Sequence, residues 1–212
     1  MPGEVSDPTM LILHALRLLG FAETSRVASR FKLDRGDVEE NLLDFEAHGW
    51  VTRSEFAGSR GWSLTERGRE ENGRRLAEEL DGCAARSTVL AVHSRFVPLN
   101  ARFQEAVTRW QIRPLPGDSM GVNDHTDFRW DDRVIDTLRS VGARLSPLQF
   151  ELATALTRFQ GYAQRYNAAM TRVARGENRW VDGLGIDSCH VVWMQLHEDL
   201  LASLGLERGD ER

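Results

Sequence analysis

The stretch LLDFEAHGWVTRSEFAGSRGWSLTERGRE, residues 42–70, changes its periodicity twice. It opens at helical spacing, with Val38, Leu42 and Phe45 recurring along RGDVEENLLDFEAHG and Gly49 closing the segment. Two short β-like runs follow, WVTRSEF and GWSLT, joined by AGSR, a pattern that predicts a hairpin. Thr65 then starts a charged helix, ERGREENGRRLAEELD.

Upstream, Asp7-Pro8 gives a cap residue followed by proline at the first helical position. An apolar helix runs from there to Gly20, and ETSRVASRF places Val27 and Phe31 on one side of a second, short helix. After Lys32-Leu33, Asp34 caps the third. Three helices, a hairpin and a returning helix predict a winged helix-turn-helix over residues 1–82, with a boundary at ELDGCAARS.

From Ser87 the pattern is helical almost throughout, which predicts a helical bundle over residues 83–212. Pro98 is expected to kink or restart a helix. Ser146-Pro147-Leu148-Gln149 reads as a capping box opening a long helix to about Arg175. GENRWVDGLG reads as a loop, and Asp187 or Ser188 caps the last helix. The fold class expected is mainly α, an N-terminal winged helix-turn-helix followed by a C-terminal helical bundle. The long first and last helices of the bundle are natural homodimer surfaces.

Residues 42–70 resemble the MarR-like winged-helix regulators, in which a hydrophobic helix ends in glycine, a wing follows and LTERG opens the next helix. The resemblance covers about residues 8–82. It implies that the third helix enters the major groove of double-stranded DNA while the hairpin flanks the duplex. Carried over residue by residue, it implies that Ser25, Arg26, Arg35 and Asn41 face DNA, with Arg53 and Arg60 on the wing. The pattern PLN…WQ…NDHTD…WDD…RFQGY…GENRW…DSCHVVWMQLHEDLL, within residues 98–205, resembles an actinobacterial helical domain that follows such a winged helix. That likeness implies that the two halves form a unit, and it supplies no activity.

Charge departs from the regulator pattern. Residues 1–82 hold 11 Arg+Lys and 16 Asp+Glu, a net of −5, whereas the remainder holds 16 of each. The third helix carries Asp37, Glu39, Glu40, Asp44 and Glu46 against Arg35 alone. Affinity for duplex DNA comes largely from neutralising phosphates, which an acidic helix opposes.

The chemistry of the C-terminal half is less specific. His190 and His197 lie seven residues apart, about 10 Å along a helix axis, so they cannot clamp one metal ion between them. Cys189 and His190 are neighbours in text, but adjacent helical side chains point away from one another. With no Gly-rich phosphate loop, GxSxG elbow or paired-carboxylate signature, no catalytic residue, metal or cofactor is assigned, and whether the chain is an enzyme stays open. Trp193, Leu196, Leu200 and Leu204 form one stripe of the last helix and are expected in the core. His190, Met194, His197 and Leu201 form a mixed stripe of the kind that lines a ligand pocket in a bundle. Arg158, Tyr162 and Arg165 are expected on one helical face, with His125 and Trp130 contributed from elsewhere in the bundle. The predicted ligand-binding set is therefore His125, Trp130, Arg158, Tyr162, His190, Met194 and His197, suited to a small anionic or aromatic molecule.

No apolar run approaches the roughly 18–20 residues of a membrane span, and MPGEVSDPTM lacks the basic start of a secretory signal. Two distant cysteines suggest no disulfide framework, so a reducing cytoplasm is the expected location. Together these features predict a dimeric, ligand-responsive transcriptional regulator. Two alternatives stand beside it: a regulator-like scaffold turned to small-molecule binding or catalysis and no longer binding DNA, and an adaptor for protein contact.

Overall fold

The computed structural model describes residues 3–56, 58–114, 117–207 and 209. Ala57 of the expected hairpin turn, and Leu115 and Pro116 of the loop before residue 128, lie outside the described residues. The chain is mainly α, 69% helical, with one small three-stranded antiparallel sheet. The elements are α1 (Pro8–Leu19), β1 (Phe21–Ala22), α2 (Thr24–Phe31), α3 (Arg35–Ala47), β2 (Val51–Phe56), β3 (Ser59–Leu64) and α4 (Glu66–Gly82). They are followed by α5 (Arg86–Gln111), α6 (Phe128–Ala155), a 3-10 turn at Thr157–Phe159, α7 (Tyr162–Val173), α8 (Arg179–Asp182) and α9 (Cys189–Leu204). Among the described residues, no helix is long and apolar enough to cross a membrane.

Two compact units interleave in sequence. The first holds residues up to Val89, Thr154–Arg158 and the chain from Glu198; the second holds Leu90–Ala153 and Phe159–His197. A cut at residues 82/83 therefore describes the units only in part, because two later pieces belong to the first. Glu4 ties one of them in, pairing with Leu156 through backbone bonds of 3.0 Å to Ala155 and Thr157.

In the first unit, each expected cap forms. Asp7 accepts from the backbone of Met10 at 2.9 Å, and Asp34 from Gly36 and Asp37 at 2.7 and 3.1 Å. Lys32, left-handed at φ 57°, ends α2. The sheet order is β1-β3-β2, with β2 and β3 in register from Val51↔Leu64 to Phe56↔Ser59. This element order and sheet are compatible with a winged helix. Ile12, Leu16, Val27, Val38, Leu42, Phe45, Val51 and Trp62 pack into one buried cluster. Thr65 joins α4 to this core: its hydroxyl accepts from Gly68 at 3.1 Å and donates to the Gly49 carbonyl at 2.7 Å. Gly68 is required for close approach, since a Cβ there would stand 1.9 Å from the Trp50 carbonyl oxygen.

In the second unit, Trp193 is fully buried and stacks on Phe96 and Phe103 at 4.9 and 4.6 Å. Its indole N–H donates to Asn100 at 3.0 Å, satisfying the one polar atom of the ring. Gly142 lets Tyr166 lie against α6, where a Cβ would meet the ring at 2.3 Å, and the phenol donates to the Leu138 carbonyl at 2.9 Å.

Several sequence expectations need correction. Pro98 lies inside α5 and Pro147 inside α6, so neither restarts a helix. A proline removes one backbone donor and crowds one carbonyl, and buried neighbours on the same helix offset that cost: Phe96 and Phe103 around Pro98, Leu145 and Leu148 around Pro147. The expected helix from residue 146 to 175 is broken between Ala155 and Tyr162, where Gly161 turns at φ 92°. Gln149 does not close a capping box but accepts from the Ala163 backbone in the first turn of α7 at 2.6 Å. The expected loop at 176–185 contains α8. Of the two caps expected for α9, Ser188 serves, accepting from Val191 at 3.2 Å.

Candidate nucleic-acid interface

Four of the six residues expected to face DNA converge on one cleft of about 370 Å³. Ser25 comes from the first turn of α2, Arg35 from the first residue of α3, and Arg53 and Arg60 from the paired strands of the hairpin. All four are exposed. Segments separated in sequence thus place three guanidinium groups around one opening. Arg53 lies over the Trp62 ring at 4.5 Å, which fixes its direction while leaving the charged edge available. Its contact with Glu46 at 3.3 Å, and that of Arg60 with Glu55 at 3.2 Å, are surface pairs that a phosphate can displace at small cost. Arg26 and Asn41 are not part of the cleft wall, and the Asn41 amide donates to the Asp37 carbonyl of its own helix at 2.8 Å.

The acids of α3 separate into two groups. Glu39 lines the cleft, and its carboxylate accepts a hydrogen bond from the Thr24 hydroxyl at 2.5 Å. Thr24 in turn accepts from the Trp62 indole at 3.1 Å, so a buried relay fixes Glu39 in place. With Glu23 and Glu39 against Arg35, Arg53 and Arg60, the cleft wall carries three positive and two negative charges, net +1. Asp37, Glu40 and Asp44 are exposed on α3, as is Leu43 at 46%.

The residues expected to bind a small molecule are divided between the two units. Arg158 belongs to the first unit, in the 3-10 turn, and not to a helical face shared with Tyr162 and Arg165 of α7. Its guanidinium is buried, donating to Glu79 and Ser203 at 2.8 Å each and to Asp199. Tyr162 is fully buried, and His197 is buried with its ring 5.6 Å from Phe96. His190 is half-buried and stacks on Phe103 at 6.3 Å, and burial lowers its pKa against the pull of Asp182. Met194 is partly buried on the same helix. Trp130 donates to the Arg109 carbonyl at 2.7 Å and lies under the Arg109 guanidinium at 4.8 Å.

His125 is the best-oriented of the set. Its Nδ1 lies 3.0 Å from Asp131, whose other oxygen accepts from Asn123 at 2.9 Å, and its ring packs 4.3 Å from Trp110. The residue adopts φ 57°, uncommon for a side chain with a Cβ, and the Asn123 amide oxygen accepts its backbone N–H at 3.2 Å. Cys189 is buried, and burial pushes its thiol up to about 12, the behaviour of a small core residue. Among the described residues, no group of three His, Cys, Asp or Glu side chains is placed to hold a metal ion.

The sequence did not signal the buried polar cluster of the first unit. His14 of α1 and Asp199 of α9 are both fully buried and meet at 3.0 Å. Burial alone would raise the Asp199 carboxyl, but Arg158 and His14 hold it well below the carboxylate range. Burial pushes His14 down more strongly than Asp199 pulls it up. An isolated histidine in an apolar helix carries no sequence mark of such a partner 185 residues away.

Compared with known protein families, with curated proteins and with solved structures, the chain finds no match in any of the three.

Proposed function

We propose that the chain is a DNA-binding transcriptional regulator whose first unit is a winged helix-turn-helix of MarR-like type. The convergence of Arg35, Arg53, Arg60 and Ser25 on one cleft carries this reading. Guanidinium groups grip phosphate oxygens, and the first turn of α3 adds the positive end of its helix dipole. The acids of α3 set the direction of approach. Glu40 and Asp44, beyond the first turn, repel the backbone, so the duplex meets α3 at its N-terminal end and the hairpin rather than along its length. The second unit acts as a helical sensor and homodimer module in this proposal. His125, held by Asp131 on a partly exposed loop, is its best-supported contact for a small anionic or aromatic effector.

Fluorescence anisotropy with labelled upstream duplex DNA at two salt concentrations tests the proposal. Binding that weakens steeply with salt supports it, and no salt-sensitive binding to any fragment ends it.

The outward face of α3 favours a second reading. Exposed Leu43 among Asp37, Glu40 and Asp44 suits contact with a basic, partly apolar protein surface. In that case the winged helix serves as an adaptor, and the purified chain leaves duplex DNA unbound at low salt.

A further inference from the structure

Glu39 is an anomaly in a cleft built to hold phosphates. A carboxylate between arginines weakens backbone binding, and yet this one is held by the buried Thr24. The Trp62 indole N–H donates to Thr24 at 3.1 Å, and Thr24 spends its only proton on Glu39 at 2.5 Å. The relay fixes one carboxylate oxygen and leaves the other as an acceptor on the wall of the cleft. Arg35 stands one helical turn earlier on α3 and lines the same cleft, but the two form no ion pair with each other. The cleft therefore presents a fixed acceptor and an exposed donor, both at the end of α3 that the duplex approaches.

We infer that Glu39 reads a base rather than the backbone, accepting a hydrogen bond from the exocyclic amino group of cytosine in the major groove. This rests on the DNA-binding reading above and adds a sequence preference to it. A carboxylate can only accept, so it is repelled by phosphate oxygens and by the acceptor edges of guanine and thymine. The amino groups of cytosine N4 and adenine N6 are the donors that the major groove offers. Cytosine is favoured because its major-groove edge has no acceptor of its own, whereas adenine sets N7 beside its amino group against the carboxylate. The guanine paired with that cytosine shows two acceptors, O6 and N7, which the neighbouring Arg35 can meet with two donors. The relay through Thr24 and Trp62 holds the carboxylate still, which a selective hydrogen bond requires.

The test is selection of the full-length protein on a randomised duplex library, followed by anisotropy on the selected site. The wild-type protein is expected to enrich cytosine at one position. Glu39→Gln keeps the Thr24 contact through its amide oxygen and turns its NH2 into the cleft, a donor in place of an acceptor, so the preference for cytosine at that position is lost and moves to the acceptor edges of guanine or thymine. Arg60→Ala, on the wing, weakens binding to all sequences without changing that preference. As a check independent of any variant, replacing the selected cytosine by pyrimidin-2-one, which lacks the amino group, costs the wild-type protein about fivefold or more in affinity at that position alone. Duplex binding with an unchanged preference in Glu39→Gln, or indifference to pyrimidin-2-one, overturns the role of Glu39 and leaves the DNA-binding reading standing. No duplex binding at low salt by the wild-type protein overturns both.

Discussion

His14 Nε2 lies 3.0 Å from Asp199 Oδ1, and neither side chain reaches solvent. Arg158 completes the cluster by bonding Asp199, Glu79 and Ser203, so α1, α4, the 3-10 turn and the end of α9 share one buried ionic centre in the first unit. Removing one partner from such a centre leaves charge without compensation. Asp199→Ala leaves Arg158 with Glu79 and Ser203 but without its fully buried carboxylate partner, and is expected to cost about 3 kcal/mol, measured as a lowered urea midpoint. A loss below 1 kcal/mol, the scale of a surface pair, would mean that the cluster is solvated.

The same pair makes stability depend on pH in one direction. His14 and Asp199 both hold protons less tightly when folded than their ordinary values of 6.5 and 3.8. As pH falls, the unfolded chain therefore takes up protons first, and stability declines. The His14 contribution is complete above its ordinary value and erodes below it; that of Asp199 is complete above the carboxylate range and is lost at lower pH still. Urea midpoints are expected to fall between pH 7.5 and 5.5, and to fall less in His14→Gln, which cannot titrate. Equal falls in both proteins would remove His14 as the cause.

Gly68 supplies a test of how α4 is seated. Its α-carbon faces the Trp50 carbonyl so closely that any Cβ would stand 1.9 Å from the oxygen. Neither group is a flexible side-chain tip, so relief requires moving the first turn of α4 away from the hairpin. Gly68→Ala is expected to destabilise by about 3 kcal/mol, the upper part of the overpacking range, despite alanine's better helix propensity. Gly73 of the same helix has open space at its Cβ position, so Gly73→Ala is expected to stabilise by a few tenths of a kcal/mol or more. Thermal melts of the two variants should move in opposite directions.

These contacts also explain what was legible in the sequence. Asp7, Asp34 and Thr65 cap helices within three residues of themselves, and the hairpin strands pair with near neighbours, so local pattern carried six of the first seven elements; β1, two residues that pair with β3 about 40 positions on, had no such pattern. Convergence of Ser25 and Arg35 with Arg53 and Arg60 followed from that topology. Arg158 was misplaced because its environment is not local. The helix expected to carry it stops at Ala155, and its partners come from Glu79, Asp199 and Ser203. Pro98 and Pro147 misled for a related reason, since proline lowers local propensity while packing several residues away keeps the helix intact.

Cys189 and Cys83 provide a contrast in reactivity. Burial raises the Cys189 thiol to about 12, so little thiolate exists at neutral pH, and access is closed as well. Cys83 is partly exposed near the end of α4. A thiol reagent at pH 8 is expected to modify one cysteine rapidly in the folded protein and the second only after denaturant is added. Peptide mapping should place the fast label on Cys83, and fast labelling of Cys189 would contradict its place in the core.

The wing arginines lead to a quantitative expectation for binding. Arg53 and Arg60 sit on opposite strands of the hairpin, and their acidic neighbours Glu46 and Glu55 hold them only through exposed pairs. In the proposed DNA complex, each arginine that exchanges its acid for a phosphate releases about 0.9 of a counterion. Arg60→Ala is therefore expected to reduce the slope of log K against log salt by about 0.9 per DNA-bound protomer. Glu55→Gln removes the competing acid and should strengthen binding at low salt without a comparable change in slope, because the number of phosphates contacted stays the same. Anisotropy titrations across a salt series separate the two effects, and an unchanged slope in Arg60→Ala would take the wing off the DNA.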